Sequence, residues 1–214
     1  VAEGEEINMA QNGPFAIVVF FADSGEDVDQ YVWLQDGLSK WGYITLVVED
    51  ETNWEAIEYL LIGWNNGSQT SVPDAQNMFA LNHIALSGHG TGAHTAAEIV
   101  KSTNYEIDGL FGLGLDGSST QHSGDVILSR PSSALFLTGT TDDIAPANEN
   151  VMSYLGNWPG AWQIMHPLGA NHIGYQESDT FFERLADGDS NMGRDGQQSH
   201  ALEHILPYLN LSLR

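Results

Sequence analysis

Side chains that can move protons, attack a carbonyl carbon or bind a metal collect in four short segments, each following an apolar run. These segments are Ala22-Asp-Ser-Gly25, Gly88-His-Gly-Thr-Gly92, Thr140 to Pro146 and Gly169-Ala-Asn-His172. They supply the carboxylates of Asp23 and Asp142, the imidazoles of His89 and His172, and the hydroxyls of Ser24 and Thr91. If the fold brings the four segments together, they form a single polar site.

The apolar runs before these segments predict strands that alternate with helices. Phe15–Phe21 is continuous and rich in β-branched residues, which is typical of a strand buried on both faces. Apolar residues from Val28 to Trp41 recur at steps of three and four and predict a helix that ends at Gly42. The remaining predicted strands are Tyr43–Val48, His83–Leu86, Gly109–Leu115, Ala134–Thr138 and Trp162–Met165. The remaining helices lie around Trp54–Leu61, over 93–101 and over Leu202–Leu211, the last interrupted or bent near Pro207.

This alternation predicts an α/β fold with a mainly parallel central sheet and helices on both faces. We expect one domain over residues 1–214, with residues 1–13 as a loose N-terminal segment. In a parallel sheet the chemistry lies beyond the carboxyl ends of the strands. All four polar segments follow predicted strands, so the sequence places them at this edge.

The charge of the chain limits its partners. It has 6 Lys and Arg against 29 Asp and Glu, a formal net charge of −23, and no cysteine. The six cationic residues are scattered, so we expect neither nucleic acid nor an anionic membrane as a partner. No run of 18 apolar residues occurs, so we expect no membrane-spanning segment. The scarcity of Lys and Arg favours a halophilic protein or an ordinary acidic surface, secreted or at the cell surface.

The order of the polar segments resembles that of α/β-hydrolases, more closely the dienelactone hydrolase and cutinase-like polyester hydrolase group. The resemblance covers roughly residues 14 to 210. It is carried by Pro14–Phe20, Gln30–Leu34 with Trp41–Tyr43, Gly88–Gly92, Asp142-Asp-Ile-Ala-Pro146 and Gly169–His172.

The resemblance implies a metal-free serine esterase site that needs no cofactor. Asp142 matches the triad acid, His172 the triad base, and Gly90 the position of the nucleophilic serine. The backbone N–H groups of Ser24 and Thr91 match the donors that bind the oxyanion. The residues expected beside the pocket are His89, Asp23 and Trp158.

Two departures from the family pattern put catalysis in doubt. Glycine at position 90 cannot attack an ester, and loss of the triad serine typically lowers turnover about a millionfold. The first-strand loop reads Phe21-Ala-Asp23 where the family usually has Ser-His-Gly. These changes favour a pseudoenzyme or binding module. The alternative is an engineered serine-to-glycine variant of an active hydrolase that acts on a small-molecule or polymeric ester.

Two further interpretations concern the same segments. Ser87, Thr91 or Ser24 would be a substitute nucleophile if one approached His172, although a strand end, a helix start and a turn explain these hydroxyls. The second interpretation is a zinc site made of His89, His94, Asp142 and His172. Their position in the loops is the only indication that these residues meet. The sequence leaves the oligomeric state open.

Overall fold

The computed structural model describes residues 13–49, 53–69, 71–72, 75–117, 132–156, 158 and 160–213. Its six strands form one sheet in the order β2-β1-β3-β4-β5-β6, and every neighbouring pair is parallel. The strands are β1 (Phe15–Phe21), β2 (Ile44–Val48), β3 (Phe79–His89), β4 (Gly109–Leu113), β5 (Ser133–Leu137) and β6 (Trp162–Met165). The predicted α/β class with a parallel sheet is confirmed.

Helices cover both faces of this sheet. They are α1 (Val32–Ser39), α2 (Trp54–Asn65), α3 (Gly90–Ser102), α4 (Val151–Leu155), α5 (Phe181–Ala186) and α6 (Arg194–Ser212), with 3₁₀ turns at Val28–Tyr31 and Ile173–Tyr175. One core packs α2, α3 and α4 against alternate residues of the strands. The other packs α1 and α6 against the opposite face. Alternation of side chains along each strand divides the apolar residues between the two cores.

Several predicted element bounds were wrong. The helix expected from Val28 begins as a 3₁₀ turn and becomes α-helical only at Val32, while Gly42 has the expected left-handed backbone with φ +82°. Strand β3 starts at Phe79, earlier than His83. Helix α6 starts at Arg194, earlier than the predicted Leu202, because its polar first turns carry no apolar pattern, and Pro207 lies inside it. The expected loose segment lies outside the described residues, apart from Gly13.

The register of the central strands aligns the loops that carry the polar residues. Phe21 at the end of β1 lies beside Gly88 of β3, and Gly88 lies beside Gly112 of β4. The chain after β1 therefore passes directly against the start of α3. Within the described ranges, no helix is both long enough and apolar enough to span a bilayer.

Candidate active site

The turn from β3 into α3 lies at the centre of the site, and the conformation and packing of this turn depend on glycines. Gly90 begins α3 with a left-handed φ of +52°. A Cβ on Gly92 would lie 2.2 Å from the carbonyl oxygen of Ala22, so only glycine lets the β1 loop approach this closely. The Gly88–Gly92 pattern thus packs the β1 loop against the N-terminus of α3.

Asp142 and His172 meet beside this turn, as the resemblance implies. His172 Nδ1 and Asp142 Oδ2 are 3.2 Å apart, which is the hydrogen bond expected between the triad base and acid. Both residues are buried. The other oxygen of Asp142 accepts from the backbone N–H of Ala145. The carboxylate is therefore fixed and orients the imidazole ring.

The second nitrogen of His172 contacts Asp23, a residue that the sequence placed only beside the pocket. His172 Nε2 and Asp23 Oδ2 are 3.1 Å apart. Asp23 Oδ1 accepts from the backbone N–H groups of Thr91 at 2.8 Å and Ser24 at 2.9 Å, and from the Thr91 hydroxyl at 3.0 Å. The two N–H groups expected to bind an oxyanion therefore both bind the Asp23 carboxylate.

The same carboxylate fills the space above Gly90. A Cβ built on Gly90 would lie 2.2 Å from Oδ1, 2.3 Å from Cγ and 2.4 Å from Oδ2 of Asp23. Real Cβ atoms essentially never approach heavy atoms this closely. A serine at position 90 and the observed rotamer of Asp23 therefore exclude each other.

Opposite charges determine the protonation of this cluster. Burial by itself would lower the pKa of His172, but hydrogen bonds to Asp142 and Asp23 and the charges of both carboxylates raise that pKa to about 10. Burial would raise the pKa of the Asp23 carboxyl group, yet the hydrogen bond from His172, the positive charge of that imidazole and the hydrogen bond from the Thr91 backbone hold the pKa well below its usual range. At neutral pH, His172 is therefore an imidazolium between two carboxylates.

His89 lies under this cluster and stays neutral. Its ring centroid is 4.4 Å from that of His172, and its Nδ1 is 3.0 Å from the hydroxyl of Tyr31. Burial, with the positive charge of His172 next to it, lowers the pKa of His89 to about 4. The Tyr31 hydroxyl also accepts from the backbone N–H of Asp23. Tyr31 thus connects the β1 loop to the ring below the site, a role that the sequence did not indicate.

Metal-ligating groups also meet here, although the predicted site is metal-free, and they differ from the set considered as an alternative zinc site. Ligand atoms of Asp23, His89 and His172 all lie within 4.8 Å of one another. Tetrahedral zinc with bonds of about 2.0–2.1 Å needs donors about 3.4 Å apart. A metal would therefore require these side chains to move and His172 to lose its Nε2 proton.

Other predicted residues lie elsewhere. His94 faces Glu98 and the Tyr154 ring on α3 and α4. Trp158 is buried in the core and donates to the carbonyl oxygen of Ser132 instead of lining a cleft. The Ser87 hydroxyl donates to the carbonyl oxygen of Val19 inside the sheet.

The loop that carries His172 is held by residues that sequence reasoning missed. Asp187 is buried, and its carboxylate accepts from the backbone N–H groups of Ile173, Asp143 and Gly188. Gln197 of α6 accepts from the N–H of Asn171 and donates to its carbonyl oxygen. Gln197 lies in a polar helix start that carries no sequence signal of this role. The Asp187 carboxylate therefore holds the loop in place through its three hydrogen bonds.

The fold and site are consistent with an α/β-hydrolase, and one comparison with known proteins agrees. The chain is 25% identical over 155 residues to pancreatic triacylglycerol lipase of Oryctolagus cuniculus, covering 63% of this chain. The match spans only 30% of the lipase, less than a third of its length. No family model matches the chain. The distant match supports an α/β-hydrolase-like protein with some resemblance to a carboxylic ester hydrolase.

Proposed function

We propose that this protein is a non-catalytic member of the α/β-hydrolase esterases, related to the dienelactone hydrolase and cutinase-like group, that works as a binding module. The observation that carries the proposal is the position of one side chain. The Asp23 carboxylate takes up the space of the nucleophile, the two expected oxyanion donors and the Nε2 of the triad histidine. One group thus blocks the nucleophile, the oxyanion donors and the base together.

The base is unable to work in this arrangement. General base catalysis needs a neutral imidazole nitrogen facing the hydroxyl that it deprotonates. Here Nε2 of His172 faces a carboxylate, and the pKa of His172 is raised to about 10. The nearby Thr91 hydroxyl donates to Asp23. Among the described hydroxyls, those of Ser87 and Thr91 therefore offer no substitute nucleophile.

The geometry disfavours an active esterase changed only at position 90. Replacing Gly90 by serine would put its Cβ 2.2 Å from Asp23, so the nucleophile would displace the carboxylate or distort the turn. A working ancestor of this site needs a serine at 90 and a residue at 23 whose side chain lies outside the donor cluster. The two departures therefore belong together, which supports a natural loss of activity.

Hydrolysis of p-nitrophenyl acetate and butyrate tests the proposal. The proteins compared are wild type, Gly90→Ser, Asp23→Gly and the double variant. We expect background rates from wild type and both single variants. Restoring the nucleophile in the double variant reverses part of a roughly millionfold loss, so its rate should exceed the wild-type rate by at least about 100-fold.

His172→Ala in the double variant is the matched control, because it should return the rate to background. Wild-type turnover that disappears on His172→Ala would overturn the proposal. A folded but silent double variant would indicate that the surrounding cleft has also changed, which agrees with a binding module.

A further inference from the structure

Asp23 is surrounded by four hydrogen-bond donors. Its oxygens face the backbone N–H groups of Ser24 and Thr91, the Thr91 hydroxyl and Nε2 of His172. The donors come from the β1 loop, the start of α3 and the loop after β6. Their convergence on one carboxylate is the pattern of a binding site for a carboxylate.

The fold itself, apart from Asp23, favours an anion at this point. Helix α3 has 13 residues and its N-terminus points at the carboxylate, so the helix dipole adds to the charge of His172. His172 is 1% exposed and held by Asp142, which keeps Nε2 in place whether or not Asp23 is bound. The absence of a side chain on Gly90 leaves room for the ligand.

Asp23 can leave these donors without unfolding the protein. Its side chain is 17% exposed, and the following residues Ser24 and Gly25 are exposed. A Cβ built on Gly25 would meet no atom of the described residues within 4 Å. Asp23 therefore lies at the edge of the site, next to an exposed and uncrowded turn.

We propose that the site binds a small monocarboxylate and that Asp23 is its tethered, autoinhibitory occupant. This inference rests on the proposed function, because a site that turned over esters would not keep a carboxylate in place of its nucleophile. A tethered group has an effective concentration in the millimolar range or above, so Asp23 excludes dilute free carboxylates. The natural protein binds its ligand when the Asp23 side chain turns away from the donors.

The test uses variants in which residue 23 is shortened, together with a free carboxylate that replaces the atoms removed. Asp23→Gly removes the equivalent of acetate, and Asp23→Ala removes the equivalent of formate. We expect acetate to raise the melting temperature of Asp23→Gly in a saturable way, and formate that of Asp23→Ala. A ligand of three or four heavy atoms has limited binding energy, so half-saturation should fall at about 1 mM.

Asp23→Asn is the matched control, since its amide still fills the donor cluster and should exclude acetate. Asp36→Ala removes one exposed negative charge elsewhere. Sodium chloride at equal ionic strength separates specific binding from charge screening. Equal responses of Asp23→Gly to acetate and chloride, matching those of Asp23→Asn, would overturn the inference.

The formate arm keeps the test decisive if Asp23→Gly fails to fold. As a second readout, the ¹⁵N shifts of His172 in Asp23→Ala should change on addition of formate and remain unchanged with chloride. Failure of the proposed function is a separate result, because it is detected as ester turnover by the wild-type protein. Carboxylate binding by the variants is measured without any substrate.

Discussion

The Asp23 carboxylate lies over Gly90, with Oδ1 only 2.2 Å from where a Cβ on that residue would be. The two positions are far apart in sequence, but the parallel register of β1 and β3 brings their loops together. The absence of a side chain at 90 is therefore what allows Asp23 to reach the donors of the site. The observed conformation of Asp23 therefore depends on glycine at position 90.

Gly90→Ala should destabilise the protein by about 2–5 kcal/mol. Left-handed backbone costs a residue with a Cβ roughly 1–2 kcal/mol, and overpacking against Asp23 adds about 1–3 kcal/mol. Urea denaturation of the variant and wild type measures the difference. In Asp23→Gly the same substitution should cost only the backbone part. Equal costs in both backgrounds would contradict the steric coupling.

His172 should carry both ring protons at pH 7. Its pKa is raised to about 10 by hydrogen bonds to Asp142 and Asp23 and by their charges. In Asp23→Asn one of these charges is lost, so the pKa should move down towards the ordinary value near 6.5. ¹⁵N NMR titration of the ring nitrogens follows this directly. A wild-type His172 that loses its proton below pH 7 would contradict the ion cluster.

The ion cluster should make stability depend on pH with a definite sign. Because the folded pKa of His172 is raised, its contribution is complete below about pH 6.5 and is lost as the pH rises to about 10. Because the pKa of Asp23 is lowered, its contribution is present above about pH 4 and is lost in stronger acid. The free-energy difference between wild type and Asp23→Asn should therefore be largest near pH 4 to 6.5.

The measurement is urea denaturation of both proteins from pH 3 to 10. The charged and titratable groups that face His172 are Asp23 of the β1 loop, Asp142 of the β5 loop, His89 of β3, and Asp187 after α5. All except Asp23 are shared by the two proteins, so their contributions largely cancel in the difference. A difference that does not change with pH would count against the cluster.

Asp187→Ala should loosen the loop that carries His172 and cost about 3 kcal/mol. The substitution removes a buried carboxylate, so the backbone N–H groups of Ile173 and Asp143 lose their hydrogen-bond acceptor. Asp189→Ala is the matched control, because Asp189 is exposed and should change stability by less than about 0.5 kcal/mol. Denaturant unfolding compares the two. Similar costs for both substitutions would show that Asp187 is not a brace.

Salt should stabilise the wild-type protein. The formal charge of −23 makes the surface repel itself, and raising NaCl from 0.1 to 1 M shortens the screening length from about 10 to 3 Å. We therefore expect the melting temperature to rise steadily over this range, with KCl acting alike. A flat profile would leave an ordinary acidic surface as the explanation of the composition.

Much of the fold follows from local pattern. Strands β1 and β6 have the bounds that the sequence predicts. For β1 the reason is that a strand buried along most of its length is a continuous apolar run with clear ends. The bounds of α6 were missed because its first turns are polar. The bond between Asp142 and His172 is the one that the family resemblance implies, and parallel strands that end at one edge bring their two loops together.

The occupant of the site was not predictable in this way. The sequence alone determined an acidic α/β fold, and it places Gly90, Asp142 and His172 in the order that nucleophile, acid and base have in the family that it resembles. Only the tertiary structure decided that Asp23 points into the gap above Gly90 and pairs with His172. A rotamer is set by the donors that surround it, and these donors come from loops distant in the chain. Local sequence therefore carries little information about it.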